Sequence, residues 1–288
     1  MTTPEATVIV PTHNHAALIP YALRSILAQQ FQGFEVFVVG DGAGADTRHV
    51  VEEIAASDGR IRYFDFAKGE RHGEALRHRA LEEAAGRIVA YCGDDDLWLP
   101  DHLANLVAGL RAADFVHTLH ASVNPDGNVT VIPADLAQPE FRKVMIETNT
   151  NYFGPTVVGH TMAAYRALAV GWHPAPDGQV TDLNMWRKFL RVPGMRFRTL
   201  PEIDTVHLPS SLRRDWSQER RRFEIAAFAE RVCTPAGVSA FKSQATQSIV
   251  DQALRRERHV IRRRLRKAAA RRTLGWLTRA FKRPPDRQ

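Results

Sequence analysis

The tightest constraint in this sequence is an apolar run that ends in three acids. Ile88-Val89-Ala90-Tyr91 passes through Cys92-Gly93 into Asp94-Asp95-Asp96, and then into Leu97-Trp98-Leu99-Pro100. The run is short and bounded by Gly86 and Gly93, which reads as a buried strand. The C-terminal end of such a strand is where open α/β sheets bind ligands. Three adjacent carboxylates repel one another and call for a counter-charge. A divalent cation on a diphosphate would supply it, because Mg2+ uses one or two carboxylates plus phosphate oxygens. The plainer reading is a solvated acidic turn capping a helix that begins near Pro100, with Asp96 and Pro100 suited to that role.

The chain before this point alternates strand and helix. Thr7-Val8-Ile9-Val10-Pro11 is β-rich and runs into Thr12-His13-Asn14. A helical pattern follows, with Leu18, Ala22, Ile26 and Gln30 on one side. Residues 34–39 form a second strand ending at Gly40-Asp41-Gly42, and Asp46 or Thr47 is placed to cap the next helix. Residues 61–64 are a third strand, 73–85 a third helix and 88–92 a fourth strand. This βαβαβαβ spacing predicts a parallel sheet with helices on both faces. Right-handed crossovers then bring residues 11–14, 40–42 and 94–96 to one edge. No Gly-x-Gly-x-x-Gly follows the first strand and no Walker A motif occurs, which disfavours dinucleotide and P-loop folds.

Beyond residue 112 the pattern changes. Residues 115–123 and 129–132 alternate around Pro125-Asp126-Gly127-Asn128 and read as a hairpin. Residues 181–190 read as a helix with Thr181 or Asp182 near its start, and short strands near Phe197 and over 203–207 precede a loop over 209–216. His117 and His120 are three apart on a predicted strand and face opposite sides, a poor metal pair.

Charge separates the body from the C-terminal end. Residues 254–288 carry 14 Lys/Arg against 2 Asp/Glu, leaving 25 against 30 in the first 253. The chain reads as helical from about Ser217, and Val250, Leu254, Ile261, Leu265 and Ala268 share a narrow arc opposite arginines. Leu274, Leu277 and Phe281 form a second arc, and the end from Pro284 reads as disordered. No run approaches the ~20 apolar residues that span a bilayer, and no signal peptide is visible. Two cysteines, Cys92 and Cys233, make neither a disulfide framework nor a zinc pattern and suit a reducing cytosol.

Five elements in this order and spacing resemble the family 2 glycosyltransferases of the GT-A fold. They are Val10-Pro11-Thr12-His13-Asn14; Leu23-x-Ser25-Ile26-Leu27-x-Gln29; Phe34-Glu35-Val36 leading to Asp41-Gly42; Ala84-x-Gly86-Arg87; and Asp94-Asp95-Asp96-Leu97-Trp98-x-Pro100. The resemblance covers about residues 5–215. It implies a GT-A type, Rossmann-like mixed α/β sheet flanked by helices over 1–215; the residue pattern adds a basic helical extension over 216–283 and a disordered end at 284–288. It also implies that Pro11, Thr12, His13, Asn14 and Asp41 hold the nucleobase end of a nucleotide, with Arg77, Asp94 and Asp95 along the phosphates. Asp94 and Asp96 match the Asp-x-Asp metal pair, Asp96 as the more direct ligand, and His207 looks like a family metal or phosphate position. A half-buried strand histidine is the plainer account of His207. Asp182, in Val180-Thr181-Asp182-Leu183-x-Met185-Trp186, looks like the catalytic base; otherwise it is a capping or first-turn acid. Arg213 and Arg214 sit in a loop that could fold over the diphosphate, or form a solvated basic turn. The chain departs from the family at Gly93, where many relatives have a further Asp, at Ala43 in place of Ser, and at Leu76-Arg77-His78 in place of Ala-Arg-Asn.

The implied reaction is inverting transfer of a sugar from a nucleotide diphosphate donor, with UDP-sugar favoured, to an acceptor hydroxyl on a glycan, a lipid-linked molecule or another compound. Mn2+ or Mg2+ would be the cofactor. A non-catalytic nucleotide-sugar-binding or scaffold protein of the same fold is the alternative. The basic tail with its apolar arcs suits an anionic membrane surface better than nucleic acid, so the expected location is the cytoplasm, with the tail offering peripheral attachment at the inner face of the membrane. A tail helix packed on the body with its arginines in water is the other reading.

Overall fold

The computed structural model describes residues 3–280, with side chains through Lys267. Two compact units are present, residues 1–245 and 246–288. In the first, β1 (Ala6–Thr12), α1 (Ile19–Leu27), β2 (Phe34–Asp41), α2 (Ala45–Ser57), β3 (Ile61–Phe66), α3 (Glu74–Leu81) and β4 (Ile88–Tyr91) alternate as the spacing predicts. The chain continues through β5 (Leu97–Trp98), α4 (His102–Gly109), β6 (Phe115–His117), β7 (His120–Val123), β8 (Val129–Ile132), α5 (Pro139–Glu147), β9 (Val158–Thr161) and α6 (Met162–Arg166). It closes with α7 (Thr181–Leu190), β10 (Phe197–Thr199), β11 (Thr205–Val206), α8 (Gln218–Val232) and α9 (Pro235–Ala280).

The central sheet has seven strands in the order β10-β6-β9-β4-β1-β2-β3. All neighbours run parallel except β9, which is antiparallel to both β4 and β6. The sheet is therefore mixed. Its strands β1, β2 and β4 are mostly apolar because both faces are covered. Val8, Val10, Val36, Val38, Ile88 and Ala90 pack under α1 and α4 through Leu23, Ile26, Leu103 and Leu106. Ile9, Phe37, Val89 and Tyr91 face the other way, toward Leu183, Trp186 and Phe189 of α7. Alternation along each strand thus builds two cores from one sheet.

Gly86 lies where β4 begins to pair with β1. A Cβ there would fall 2.5 Å from the Thr7 nitrogen, so only glycine lets the strands approach. The expected hairpin over 115–132 is split. β6 belongs to the central sheet, and only β7 and β8 form a hairpin. The chain bends between them because the Thr118 amide donates to Val157 and the Leu119 amide to Glu202. The bend also parts the two histidines. His117 stacks on Phe153 at 4.1 Å, and His120 faces His207 at 4.5 Å. α2 begins at Gly44 with no side-chain cap, so neither Asp46 nor Thr47 caps it. The Gly44 amide donates instead to Asn14 Oδ1 at 3.0 Å, which ties the loop after β1 to the one after β2.

Behind the acidic turn, β11 pairs antiparallel with β5. Asp204 locks this pairing: its carbonyl accepts from Leu99, and its buried carboxylate lies 2.8 Å from His102 Nδ1 and accepts from Asn105. Burial opposes the Asp204 charge, but His102 and Asn105 outweigh it and hold the carboxyl below its usual range. Three residues on, the same segment delivers His207. α8 and the first turns of α9 belong to this unit, with Ile225, Phe241 and Ala245 buried.

In the second unit the helix continues to Ala280, and residues 253–267 are exposed, Leu254, Ile261 and Leu265 included. The side chains of Ala268, Leu274 and Leu277, along with Phe281 and the end from Pro284, lie outside the described residues. Among the described residues no helix is long and apolar enough to cross a membrane.

The Asp204 lock generates a stability prediction. Asp204→Ala strands His102 in a fully buried site. It also takes the acceptor from Asn105, and a buried polar group left unpaired costs about 1–3 kcal/mol, so the urea midpoint should fall clearly against wild type.

Candidate active site

The C-terminal ends of β1, β2, β3 and β4 open on one edge, as parallel crossovers require. The loops that leave them surround a cleft of about 250 Å³ lined by Thr12, His13, Asp41, Lys68, Arg77 and Asp94, among others. Of the sequence-predicted residues, Pro11, Thr12, His13, Asp41, Arg77 and Asp94 line it together, while Asn14 is exposed beside it. His13 Nδ1 bonds the Asp41 carbonyl at 2.7 Å. The Asp41 carboxylate accepts from Lys68 Nζ at 2.6 Å and from the Gly69 amide at 2.7 Å, which fastens the loop after β3 over the cleft. That loop needs Gly73 with φ 67°, where a Cβ would come within 2.7 Å of Asp41.

Arg77 lies on α3 with its guanidinium over the Trp172 ring at 4.8 Å. Its Nη2 donates to the His72 carbonyl at 2.8 Å, while its buried Nε has no partner. A buried donor left over in a cleft is costly unless a ligand takes it, and a phosphate oxygen is the acceptor an arginine fits.

Each of the three acids has a different set of partners. Asp94 accepts from Thr12 Oγ1 at 2.6 Å and bonds His15 Nδ1 at 2.8 Å. Asp95 accepts from Arg221 Nη2 at 2.5 Å and from the Ser210 hydroxyl. Asp96 accepts from the Thr156 hydroxyl, from His207 Nδ1 at 2.9 Å and from the Leu208 amide at 2.9 Å. Burial opposes ionisation of Asp96, yet His207 and these hydrogen bonds outweigh it and bring the carboxyl down to about 2. His207 in turn is raised, because Asp96 outweighs the burial of the ring. For Asp95, burial and the flanking Asp96 and Asp94 push the carboxyl up to about 6. Gly93 closes this turn, and a Cβ there would lie 2.8 Å from Asp96 Oδ2. A side chain here would have to displace the Asp96 carboxylate.

A second group of possible metal donors lies beside the predicted Asp94 and Asp96 pair. Asp96 and His207 are bonded to each other, a carboxylate–histidine unit with three hydrogen bonds already on the carboxylate. His15, Asp94 and Asp95 instead offer ligand atoms that all lie within 4.8 Å of one another. One nitrogen and two carboxylate oxygens at this spacing fit a divalent ion such as Mn2+.

Asp182 is in the first turn of α7, whose N-cap is Val180 with no side-chain cap. Its carboxylate makes no hydrogen bond or ion pair among the described residues. Burial raises it above the usual range, against the charges of Arg77, His207 and His72. Of those groups, Arg77 and His72 line the cleft. Arg213 does not line it. It is buried, clasped by Glu224 at 2.5 and 2.7 Å, and donates to the Val123 carbonyl. It pins the 209–212 turn to β7 and α8, while Arg214 is exposed.

Sequence reasoning missed His15, Lys68, Thr156 and Arg221. His15 and Lys68 carried some signal, since each follows a predicted strand end by a few residues. Thr156 and Arg221 carried none, because their distance in sequence hides the contact.

A family profile described as "Glycosyl transferase family 2" matches residues 7–170. The chain belongs to glycosyl transferase family 2. Its Campylobacter jejuni relative, a GalNAc(5)-diNAcBac-PP-undecaprenol beta-1,3-glucosyltransferase, is 34% identical over 104 residues, covering 36% of this chain and 34% of the relative. An Escherichia coli relative, a UDP-Glc:alpha-D-GlcNAc-diphosphoundecaprenol beta-1,3-glucosyltransferase, is 33% identical over 98 residues, covering 33% and 37%. The chain spans about a third of the length of these two relatives. Among solved structures, residues 1–349 of S. aureus TarS in complex with UDP-GlcNAc align with a TM-score of 0.57 at 20% identity, covering 71% of this family member and 58% of that chain. A mannosyltransferase from Pyrobaculum calidifontis in complex with GDP-Man and Mn2+ gives 0.54 at 24% identity, covering 85% and 68%. The fold of this family 2 member is GT-A.

Asp182 generates a direct test. In protein labelled with ¹³C at aspartate carboxyls, one resonance should titrate above the usual Asp value of about 3.9 and vanish in Asp182→Asn. A missing resonance confined to the usual range would contradict the half-buried, unpaired carboxyl.

Proposed function

We propose that this protein transfers a sugar from a nucleotide diphosphate, a UDP-sugar, to an acceptor hydroxyl with inversion, and that Asp182 is the general base. The observation that supports this reading is the Asp182 carboxylate in the first turn of α7, raised by burial and without a hydrogen bond or ion pair among the described residues, near Arg77 and His72, which line the cleft. The relatives' names, both glucosyltransferases acting on diphosphoundecaprenol-linked molecules, support a lipid-linked acceptor. The nucleotide would lie along the loops after β1, β2 and β3, with Asp41 and residues 11–14 around the base and the Arg77 Nε on a phosphate oxygen. His15, Asp94 and Asp95 would hold a divalent ion, Mn2+ or Mg2+, which when bound supplies electrostatic stabilisation of charge on the leaving diphosphate. Asp96 then acts by fixing His207.

The chemical step needs little else from the chain. A carboxylate oxygen of Asp182 takes the acceptor hydroxyl proton as that oxygen attacks the anomeric carbon. The bond from that carbon to the phosphate oxygen breaks, and its electron pair leaves with the diphosphate. One base and no enzyme nucleophile means a single displacement. The raised carboxyl sets the pH dependence. Below its pKa the base is protonated, so turnover falls as pH drops through a value above the ordinary Asp range.

Asp182→Asn keeps the shape but cannot take a proton. Transfer with a UDP-sugar and Mn2+ should fall about 10²–10⁴-fold while UDP affinity by calorimetry is retained. A loss of UDP affinity without a fall in turnover would sink the base assignment. Absence of turnover or donor hydrolysis in wild type, with binding intact, would favour the non-catalytic binding reading.

The basic helix after residue 246 would bring the enzyme to an anionic membrane surface, at the face where a lipid-linked acceptor is presented. Each basic residue near an anionic leaflet contributes ~1 kcal/mol. The full chain should co-sediment with vesicles containing anionic lipid and dissociate as salt rises, whereas a chain ending at Gln247 should stay in the supernatant. Equal sedimentation of both would remove the membrane role.

A further inference from the structure

Arg221 stands on the acid triplet in a way that the family resemblance does not account for. It lies in the first turn of α8, fixed there by the Ser217 cap and by its own amide bonding the Ser217 carbonyl at 3.1 Å. Gln218, one turn earlier, donates to the Asn14 carbonyl at 3.3 Å, so this end of α8 straps across the loop after β1. The Arg221 guanidinium makes three contacts. Nη2 donates to Asp95 Oδ2 at 2.5 Å and to Ser210 Oγ at 2.8 Å, and Nη1 lies 3.1 Å from His15 Nε2.

The last contact fixes the chemistry of His15. Arginine has donors only, so Nε2 must offer its lone pair, and Nδ1 must carry the hydrogen that goes to Asp94 at 2.8 Å. A histidine held by a carboxylate at one nitrogen with a free lone pair at the other is the arrangement of a metal ligand. Arg221 therefore uses the atoms a divalent ion would use, the His15 Nε2 lone pair and Asp95 Oδ2. Two cations cannot share them. In the arrangement described, the triplet already has its counter-charge, supplied by the chain itself.

We propose that Arg221 is an exchangeable counter-cation: it occupies Asp95 and His15 until the diphosphate of a donor draws it away, and so makes ion and nucleotide bind together. This rests on the nucleotide diphosphate reading above. The exchange is favourable because a guanidinium leaving one carboxylate finds two phosphate oxygens in a matching fork, while the vacated donors take the ion that the same diphosphate also ligates. The consequence is ordered loading. Ion alone competes with Arg221 and binds poorly; nucleotide removes the competitor. Arg221 is thus a positioning residue for donor and ion.

The test measures two affinities that move in opposite directions. Free Mn2+ is followed by electron paramagnetic resonance without nucleotide, and UDP binding by calorimetry at saturating Mn2+, for wild type, Arg221→Gln, Arg221→Lys and Arg198→Gln, the last an exposed arginine on the edge strand β10. Arg221→Gln should bind Mn2+ alone about tenfold more tightly and UDP about tenfold more weakly, within the usual span of coupling between two sites. Arg221→Lys keeps the charge without the fork and should fall between, and Arg198→Gln should match wild type. A merely structural arginine would weaken both affinities on removal, so loss of both overturns the proposal, as does an unchanged Mn2+ affinity in Arg221→Gln. If wild type binds UDP and Mn2+ normally and only this difference is missing, the exchange alone fails. If wild type binds neither, the nucleotide reading fails with it.

Discussion

Like charges gathered at the end of one strand repel, and every segment around this cleft is arranged to answer that repulsion. Asp94, Asp95 and Asp96 follow β4 directly, so their backbone positions are fixed by the sheet and cannot spread. Their partners come from elsewhere: Thr12 and His15 from the loop after β1, Thr156 from the entry to β9, His207 and the Leu208 amide from beyond β11, Ser210 and Arg221 from the last turn and helix. A carboxylate stays ionised in a buried place only when charge and hydrogen bonds outweigh desolvation. The acid triplet therefore cross-links segments that are far apart in sequence, and the cleft it faces inherits their order. The buried Asp204–His102 contact serves the same end at one remove, since it holds the strand that presents His207.

How much of this was legible in the sequence follows from the range of each interaction. The first four strands were legible because both faces of the sheet are covered and the apolar runs are unbroken, with helices at regular spacing between. Residues 11–14, Asp41 and the triplet follow from strand ends, and a parallel topology brings such ends to one edge. The antiparallel β9 was not legible: Val158-Gly159-His160-Thr161 has no alternation, and its place between β4 and β6 depends on pairing with strands about 70 and 45 residues away. The hairpin over 115–132 failed for a related reason. The residues alternate throughout, but the amides of Thr118 and Leu119 bond outward and send one half to each sheet.

The arginines of residues 213–222 show the limit most clearly. Five of the ten are arginine, and composition cannot say which faces the cleft. Helix phase decides it, and the phase is set by where α8 starts. Ser217 caps the helix through the Arg220 amide, which places Arg221 toward Asp95 and Arg220 over Trp216 at 3.7 Å. Arg213, before the cap, turns inward to Glu224. The same residue type thus takes three jobs within nine positions. A one-residue shift of the cap would exchange them.

The cleft carboxylates also divide their chemistry by environment, and this bears on which of them can act as a base. Asp96 accepts three hydrogen bonds and sits beside His207; its carboxyl is held at about 2, so its oxygens have little affinity for another proton. Asp182 has the opposite setting. Its place in the first turn of α7 favours the charged form through the helix dipole, an effect of about 0.3–1 kcal/mol. Burial disfavours it, and the raised carboxyl means that burial prevails even with Arg77, His207 and His72 nearby. With no hydrogen bond to surrender, Asp182 can meet an incoming hydroxyl without breaking a contact. Two carboxylates whose environments push them apart in this way suit separate roles: Asp96 fits holding His207 and the Leu208 amide in place, and Asp182 fits the proton-accepting role proposed for it.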